Sequence, residues 1–136
     1  MLCLIFVKIR HIGIAVDSIK ERLPVWEAFG LQLDHTEKVD SEGVTTAHLK
    51  VGGYEIELLE PMGKDTPVGK FIDKKGPGIH HLALEVDDIE ESLAKAKKNG
   101  LEPIGEAPRP GADNTLVAFF PPKDTGGVLL EIVQCD

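Results

Sequence analysis

The pattern of apolar and polar positions along this chain occurs twice. In residues 7–16, Ile12, Ile14 and Val16 alternate with small or polar residues, and the same alternation returns in residues 79–86. A period of two is typical of a β-strand with one buried face. In both places Val-Asp follows, and then a stretch whose apolar residues have helical spacing. The pattern therefore predicts two strand–helix units.

The first unit predicts one helix and four strands in residues 7–61. The helix extends from about Ile19 to Phe29, with Asp17 or Ser18 as its N-cap. Pro24 lies inside this helical pattern and predicts a late start or a kink, because proline cannot donate a backbone hydrogen bond. The strands are expected at residues 7–16, 31–39, 44–51 and 54–60.

The second unit predicts the same order in residues 79–134. The linker at residues 62–78 carries one short helix, with Thr66 as a typical N-cap and Pro67 in the first turn. The main helix extends from about Ile89 to Asn99 and is capped by Asp87 or Asp88. Strands are expected at residues 79–86, around 101–104, 115–120 and 128–133, with a polar loop at residues 106–114.

The two units match in order as well as in pattern. His11 corresponds to His81 at a separation of 70 positions, and Glu57 corresponds to Glu131 at a separation of 74. An insertion of four residues in the loop at 106–114 accounts for the difference. Ordered matches of this kind predict an internal duplication. We expect a single α+β domain over residues 1–136, with β-α-β-β-β modules at 7–61 and 79–134 joined by the linker 62–78.

Composition narrows the class of protein. With 136 residues, 42% hydrophobic and 28% charged, the chain is typical of a folded globular protein. A net charge of −8 argues against nucleic acid and anionic membranes as partners. The apolar start, residues 1–7, is too short to span a bilayer and has no signal-peptide pattern. Cys3 and Cys135 have no metal-type spacing, so free thiols and a cytoplasmic location are expected.

Each module places a glutamate inside an apolar strand. Glu57 lies between Ile56 and Leu58, and Glu131 likewise lies between two aliphatic residues. Because side chains alternate along a strand, the aliphatic neighbours face the helices and the glutamate faces the other side of the sheet. A carboxylate in such surroundings must be paired, protonated or bound to a metal. The glutamates are therefore candidates for chemistry.

Symmetric packing of the modules would bring together His11, Glu57, His81 and Glu131. Two imidazoles and two carboxylates leave two positions open on an octahedral ion, which indicates a catalytic rather than a structural site. This ligand set suits Co²⁺, Mn²⁺, Ni²⁺, Fe²⁺ or Zn²⁺. The alternatives are a structural histidine at position 81 and a surface glutamate at position 57. His80 is interpreted as structural, and His35 and His48 as surface residues.

Five stretches of the chain resemble the vicinal oxygen chelate, or glyoxalase, superfamily: residues 10–16, 55–61, 78–89, 108–112 and 122–131. The resemblance implies a half-open, eight-stranded barrel-like sheet with helices on its outer face. It also implies a divalent ion, with Co²⁺ as the first expectation, held by His11, Glu57, His81 and Glu131.

Within this superfamily the chain resembles an epimerase family that acts on an acyl-CoA substrate. The resemblance implies epimerisation of methylmalonyl-CoA, by removal and return of the C2 proton through a metal-stabilised enediolate, in a homodimer. Glu131 is then the catalytic base. Arg109 and Lys123 could bind the phosphates of CoA, although solvated loop charges are an equal interpretation.

One position departs from the pattern of the family. Some members carry a second carboxylate on the third strand, where this chain has Thr46. The second proton carrier therefore stays open among His48, Glu60 and a metal-bound water. The alternative function is a glyoxalase I-type lyase acting on a glutathione hemithioacetal. An extradiol dioxygenase fits less well because of the length of the chain and the ligand Glu57, and a metal-free binding module fits less well because all four ligand positions are filled.

Overall fold

The computed structural model describes residues 7–111 and 114–135. The chain divides into two compact units. One comprises His11–His80, and the other comprises the described residues before His11 together with those from His81 onward. We call them the Glu57 unit and the Glu131 unit, after the glutamate that each contains. Strand β1 begins in the Glu131 unit and continues into the Glu57 unit.

The sheet of the Glu57 unit has the strand order β2-β3-β4-β1. Strands β1 and β4 are parallel, and the other neighbours are antiparallel. The elements are β1 (Lys8–Ala15), α1 (Ile19–Ala28), β2 (Gln32–Val39), a 3-10 turn (Asp40–Glu42), β3 (Val44–Val51), β4 (Tyr54–Pro61) and α2 (Pro67–Lys75).

The sheet of the Glu131 unit repeats this plan in the order β5-β8-β7-β6. Strands β5 and β8 are parallel, and the other neighbours are antiparallel. The elements are β5 (Gly78–Glu85), α3 (Ile89–Lys98), β6 (Arg109–Pro110), β7 (Leu116–Phe120), α4 (Pro122–Thr125) and β8 (Leu129–Gln134). Among the described residues the Glu57 unit has the order β-α-β-β-β, and the Glu131 unit has the same order with the short helix α4 inserted between β7 and β8. The predicted α+β fold is confirmed.

The apolar faces of the strands pack against helices, as strand alternation requires. In the Glu57 unit, Leu58 and Leu49 are fully buried against the α1 side chains Leu23 and Trp26. In the Glu131 unit, Ile132 belongs to the cluster that packs around the first residues of α3. The residues that flank each glutamate therefore face a helix, as the sequence predicts.

Each module joins the start of its helix to the end of its last strand. The N–H of Ile19 donates to Glu60 Oε1 at 2.7 Å, and the N–H of Ile89 donates to the side chain of Gln134 at 2.8 Å. Local caps are equivalent as well, since Ser18 accepts from Glu21 N and Asp88 from Glu91 N. These bonds satisfy N–H groups that a helix leaves without a partner in its first turn.

Four details differ from the sequence predictions. Helix α1 begins at Ile19 with Pro24 inside it, so the late start is wrong. No strand forms at residues 101–104: Pro103 has no N–H, and Ile104 makes one ladder-type bond, to Phe119 O at 2.7 Å. Strand β6 lies instead within the predicted loop 106–114. Residues 112–113 of that loop lie outside the described residues, and so does Cys3. The connection between the predicted strands 115–120 and 128–133 contains the short helix α4, which was not predicted.

We expect Leu58→Ala to lower the free energy of unfolding by about 2–5 kcal/mol, because it opens a cavity at a fully buried position. The measurement is urea unfolding followed by circular dichroism. Val25→Ala is the control, since Val25 is an exposed residue of α1, and it should change stability by less than about 0.5 kcal/mol. Equal losses in both variants would contradict the assignment of this core.

Candidate active site

The first histidine–glutamate pair lies in the Glu57 unit. His11 Nδ1 is 3.2 Å from Glu57 Oε2, and these side chains are 12% and 13% exposed. In the parallel pairing of β1 with β4, Gly13 is the partner of Glu57. Because Gly13 has no side chain, the space beside the carboxylate is left to His11, two residues earlier on the same face.

The second pair has the same construction in the Glu131 unit. His81 Nε2 is 3.9 Å from Glu131 Oε1, and these side chains are 12% and 14% exposed. Ala83 is the partner of Glu131 in the parallel pairing of β5 with β8, and His81 again precedes it by two residues. The structure thus brings together the predicted site residues in two pairs, each with one imidazole and one carboxylate.

His80 has a different environment from His81. Its ring packs edge-on against Phe71, with 4.8 Å between the ring centroids. Burial lowers the pKa of His80 below the ordinary value of a histidine. A histidine held neutral against an aromatic ring agrees with the structural role expected for it.

A third group of polar side chains lies on β3 and β4, on the face that carries Glu57. His48 is the antiparallel partner of Glu57, and its Nδ1 is 3.1 Å from Glu55 Oε1. Its Nε2 is 2.9 Å from Thr46 Oγ1, and the side chain is only 13% exposed. The prediction that His48 is a surface residue is wrong, because β2 and β4 flank its strand on both sides.

His48 lies close to the first pair. His48, Glu55 and Glu57 each offer a nitrogen or oxygen atom, and these atoms lie within 4.8 Å of one another. His35, on the neighbouring strand β2, stacks on the His48 ring at 4.1 Å with an interplanar angle of 10°. His35 itself is exposed and contacts Asp34, as expected for a surface histidine.

Glu55 is held in its ionised form by this group. Burial by itself raises the pKa of Glu55, but hydrogen bonds from His48 and Lys50 outweigh it and keep the pKa below the ordinary value of a glutamate. The Lys50 ammonium is 3.3 Å from the carboxylate. Glu55 is therefore an anion that faces His48 at ordinary pH.

The two predicted substrate-binding cations lie in the Glu131 unit. The Arg109 guanidinium is 5.0 Å from the centroid of the Phe119 ring, an arrangement typical of a cation–π contact. Lys123 lies on the exposed helix α4. Both side chains are accessible, and their binding of CoA phosphates stays a prediction.

A second polar group in the Glu131 unit was not anticipated from the sequence. Arg10 and Lys8 both contact the Glu85 carboxylate, at 3.2 and 3.3 Å. Burial alone raises the pKa of Glu85, but the hydrogen bonds and charges around it keep that pKa below its ordinary value. The free thiol of Cys135 lies beside this carboxylate, and burial raises the pKa of the thiol.

In the described part of the chain, no helix is long and apolar enough to cross a membrane.

The chain is similar to known proteins both in its family profile and in its overall sequence. The profile of the glyoxalase/bleomycin resistance protein/dioxygenase superfamily matches residues 10–119. The chain is 38% identical to YqjC of Bacillus subtilis (strain 168), an uncharacterised protein, over 93% of this chain and 91% of that one. It is 33% identical to the human mitochondrial methylmalonyl-CoA epimerase, over 93% of this chain and 73% of that one.

The fold of the chain is similar to solved structures of the same kind of enzyme. A methylmalonyl-CoA epimerase in complex with methylmalonyl-CoA and NH4+ is 34% identical, with a TM-score of 0.83 over 94% of each chain. The chain belongs to the glyoxalase/bleomycin resistance protein/dioxygenase superfamily. Within it the protein is an isomerase of the epimerase type, similar to the methylmalonyl-CoA epimerases.

The ionised state of Glu55 predicts a pH dependence of stability. Because its pKa is lower in the folded than in the unfolded chain, the stabilisation is present above pH of about 4.3 and is lost as the pH falls through the folded pKa. We expect wild type to be more stable than Glu55→Gln at pH 7, and the difference to shrink towards pH 3.5. Urea unfolding across this range measures it, with Glu27→Gln on the exposed surface of α1 as control. A difference that is constant with pH would contradict the assignment.

Proposed function

We propose that this protein epimerises methylmalonyl-CoA by removing and returning the proton at C2. The observation that carries the proposal is the histidine–glutamate pair, built in the same register in both modules of an epimerase-type fold. The named relatives support the substrate: one solved epimerase of this fold is a complex with methylmalonyl-CoA.

The two pairs fit a divalent metal ion in their chemistry. Each offers one imidazole nitrogen and one carboxylate oxygen, in side chains that are nearly buried. We propose His11, Glu57, His81 and Glu131 as the ligands, with Co²⁺ as the first candidate and Mn²⁺, Ni²⁺, Fe²⁺ and Zn²⁺ as the others. When bound, such an ion supplies Lewis acidity towards the substrate's carbonyl oxygens and so makes the C2 proton easier to remove.

Glu131 is the proposed base of the reaction. Its strand neighbours Leu130 and Ile132 belong to the apolar cluster on the other face, so the carboxylate lies at the edge of a hydrophobic environment. His81 Nε2 lies 3.9 Å from its Oε1.

The remaining proposals concern the substrate's CoA moiety and the assembly. Arg109 and Lys123 are exposed cations that could hold phosphate groups, as an otherwise acidic protein requires for an anionic ligand. We also propose that the protein is a cytoplasmic homodimer.

The proposed binding of CoA phosphates predicts the effect of a charge reversal at Arg109. Steady-state kinetics should show a KM for an acyl-CoA that rises more than kcat falls.

The test of the function is exchange of the C2 proton of methylmalonyl-CoA with solvent deuterium, observed by NMR on metal-loaded protein. We expect rapid exchange with wild type and a loss of at least about 100-fold in Glu131→Gln, because a proton carrier contributes about 10²–10⁴-fold. Glu91→Gln, on the exposed face of α3, is the matched control. Turnover of a glutathione hemithioacetal without exchange would favour the glyoxalase I-type alternative and refute the epimerase.

Metal content tests the proposed ligands separately from activity. We expect about one divalent ion per chain after reconstitution, and an affinity at least about 10-fold lower in Glu57→Ala and in His81→Ala. The measurements are elemental analysis and, for the Co²⁺ form, visible absorption. Glu37→Ala removes an exposed carboxylate from the same sheet and should bind like wild type. Unchanged affinity in both ligand variants would exclude this ligand set.

A further inference from the structure

The Glu131 unit surrounds its glutamate with apolar side chains on the face of the sheet that carries the carboxylate. In the proposed function, on which this inference rests, Glu131 acts as a base at C2 of the substrate. That carbon also carries an alkyl group, which is the apolar part of the substrate nearest to the base. We propose that Phe119 contacts this alkyl group and limits its length.

The strand pairings give the neighbours of Glu131. Phe119 on β7 and Ala83 on β5 are its partners on either side. Along β8, Leu129 precedes it and Val133 follows it on the same face. Direct partners in an antiparallel pair have Cβ atoms about 4.5–5.5 Å apart. Phe119 is therefore within reach of a group that contacts the carboxylate.

Burial separates these neighbours. Ala83 is fully buried and Val133 is 2% exposed, so neither offers surface to a ligand. Phe119 is half-buried: part of it packs against the cluster of Ala83, Val117 and Val133, and the rest is accessible. Phe119 is thus the strand partner of the base that combines an apolar surface with access from outside.

Leu129 is the other half-buried apolar neighbour on this face. Its partner in register is the proposed ligand His81, whereas the partner of Phe119 is Glu131 itself. Residues that follow one another on the same face of a strand are about 6.6 Å apart, farther than direct cross-strand partners. Leu129 is therefore a comparison in the experiment and not the first candidate.

The Phe119 ring is held in place by more than the apolar cluster. The Arg109 guanidinium lies over it, with Cζ 5.0 Å from the ring centroid. Arg109 is the register partner of Val117, which precedes Phe119 by two residues on the same face of β7. The loop after β6 also lies against this cluster, since a Cβ at Gly111 would be 2.7 Å from Val117 Cγ1. A ring packed in this way resists displacement by a longer alkyl group.

The equivalent places of the other module are polar. His48 is the partner of Glu57, where Phe119 is the partner of the second glutamate. Two residues earlier on the same strand, Thr46 stands where the Glu131 unit has Val117. The two modules thus share their proposed ligands but differ beside them. This difference assigns the apolar substituent of the substrate to the Glu131 unit.

The reaction makes the position of the ring important. When the proton leaves C2, that carbon becomes planar, and the alkyl group lies in the plane while the carboxylate of Glu131 faces it from one side. A neighbour of the carboxylate then contacts the alkyl group at its edge. One methylene more or less in an apolar site changes kcat/KM by about 10–200-fold. The rate should therefore fall as the alkyl group becomes longer.

The experiment measures exchange of the C2 proton with solvent deuterium for methylmalonyl-, ethylmalonyl- and butylmalonyl-CoA, on the metal-loaded full chain and after subtraction of uncatalysed exchange. With wild type we expect kcat/KM for butylmalonyl-CoA to be at least about 10-fold below that for methylmalonyl-CoA. Phe119→Ala removes the ring and should raise the butyl-to-methyl ratio by at least about 10-fold. The ratio is the readout because a loss of folding, metal or CoA binding lowers the rates for all three substrates alike.

Matched variants separate specificity from packing. Phe119→Leu is a smaller truncation that should shift the ratio in the same direction, and it replaces Phe119→Ala if that variant does not fold. Phe120→Leu makes the same change at a buried position on the opposite face, so it should lower stability and keep the ratio within about 3-fold of wild type. Leu129→Ala should also keep the wild-type ratio. Metal content and thermal unfolding are measured for every variant.

The outcomes distinguish this inference from the function on which it rests. A wild-type protein that exchanges none of the three substrates refutes the proposed epimerase. An active wild type that exchanges all three at the same rate refutes the role of Phe119 alone, and so do folded Phe119 variants that keep the wild-type ratio. A shift of the ratio in Leu129→Ala without one in the Phe119 variants would assign the contact to the wrong residue and overturn the inference as well.

Discussion

The arrangement of each module depends on the burial of one carboxylate inside an apolar strand. Glu57 and Glu131 must lie on strands whose other face is packed against a helix, and such a carboxylate is costly unless a hydrogen-bonding or charged partner meets it. That partner is a histidine on the parallel neighbour strand. It lies two residues before the glycine or alanine that is in register with the glutamate. A slip of one residue would turn the carboxylate into the helix interface, so the register is determined by the same interaction.

Most of the fold could be predicted because local chemistry and tertiary packing agree. Thr66, Pro67 and Gly76 place α2 correctly, since capping and proline geometry act within a few residues. The errors lie where tertiary contacts decide. Pro24 is tolerated inside α1, and the stretch 101–104 pairs through a single bond because its proline interrupts the ladder. Helix α4 is one short turn in a proline-rich connection, below the length at which apolar periodicity can be recognised.

The candidate site could be predicted only as far as the duplication extends. His11 and Glu57 are identified because they recur as His81 and Glu131, and strand parity gives their face. His48 has no counterpart in the second module, where Phe119 occupies the equivalent place. A signal was nevertheless present, since Thr46 and His48 share a face by parity. What sequence could not supply is the cross-strand register of β3 with β4, which sets His48 opposite Glu57 and beside Glu55.

Duplication and catalysis place opposite demands on this protein. Two copies of one module yield equivalent nitrogen and oxygen donors, which suits the divalent ion that we propose for them. The carbon that reacts in the proposed epimerisation is chiral, so its two faces differ. Equivalent positions beside the ligands are therefore where the modules have to diverge. The pair His48 and Phe119 is such a divergence: the same cross-strand place carries an ionisable ring in one module and an apolar ring in the other. The difference between the modules thus carries as much functional information as their similarity.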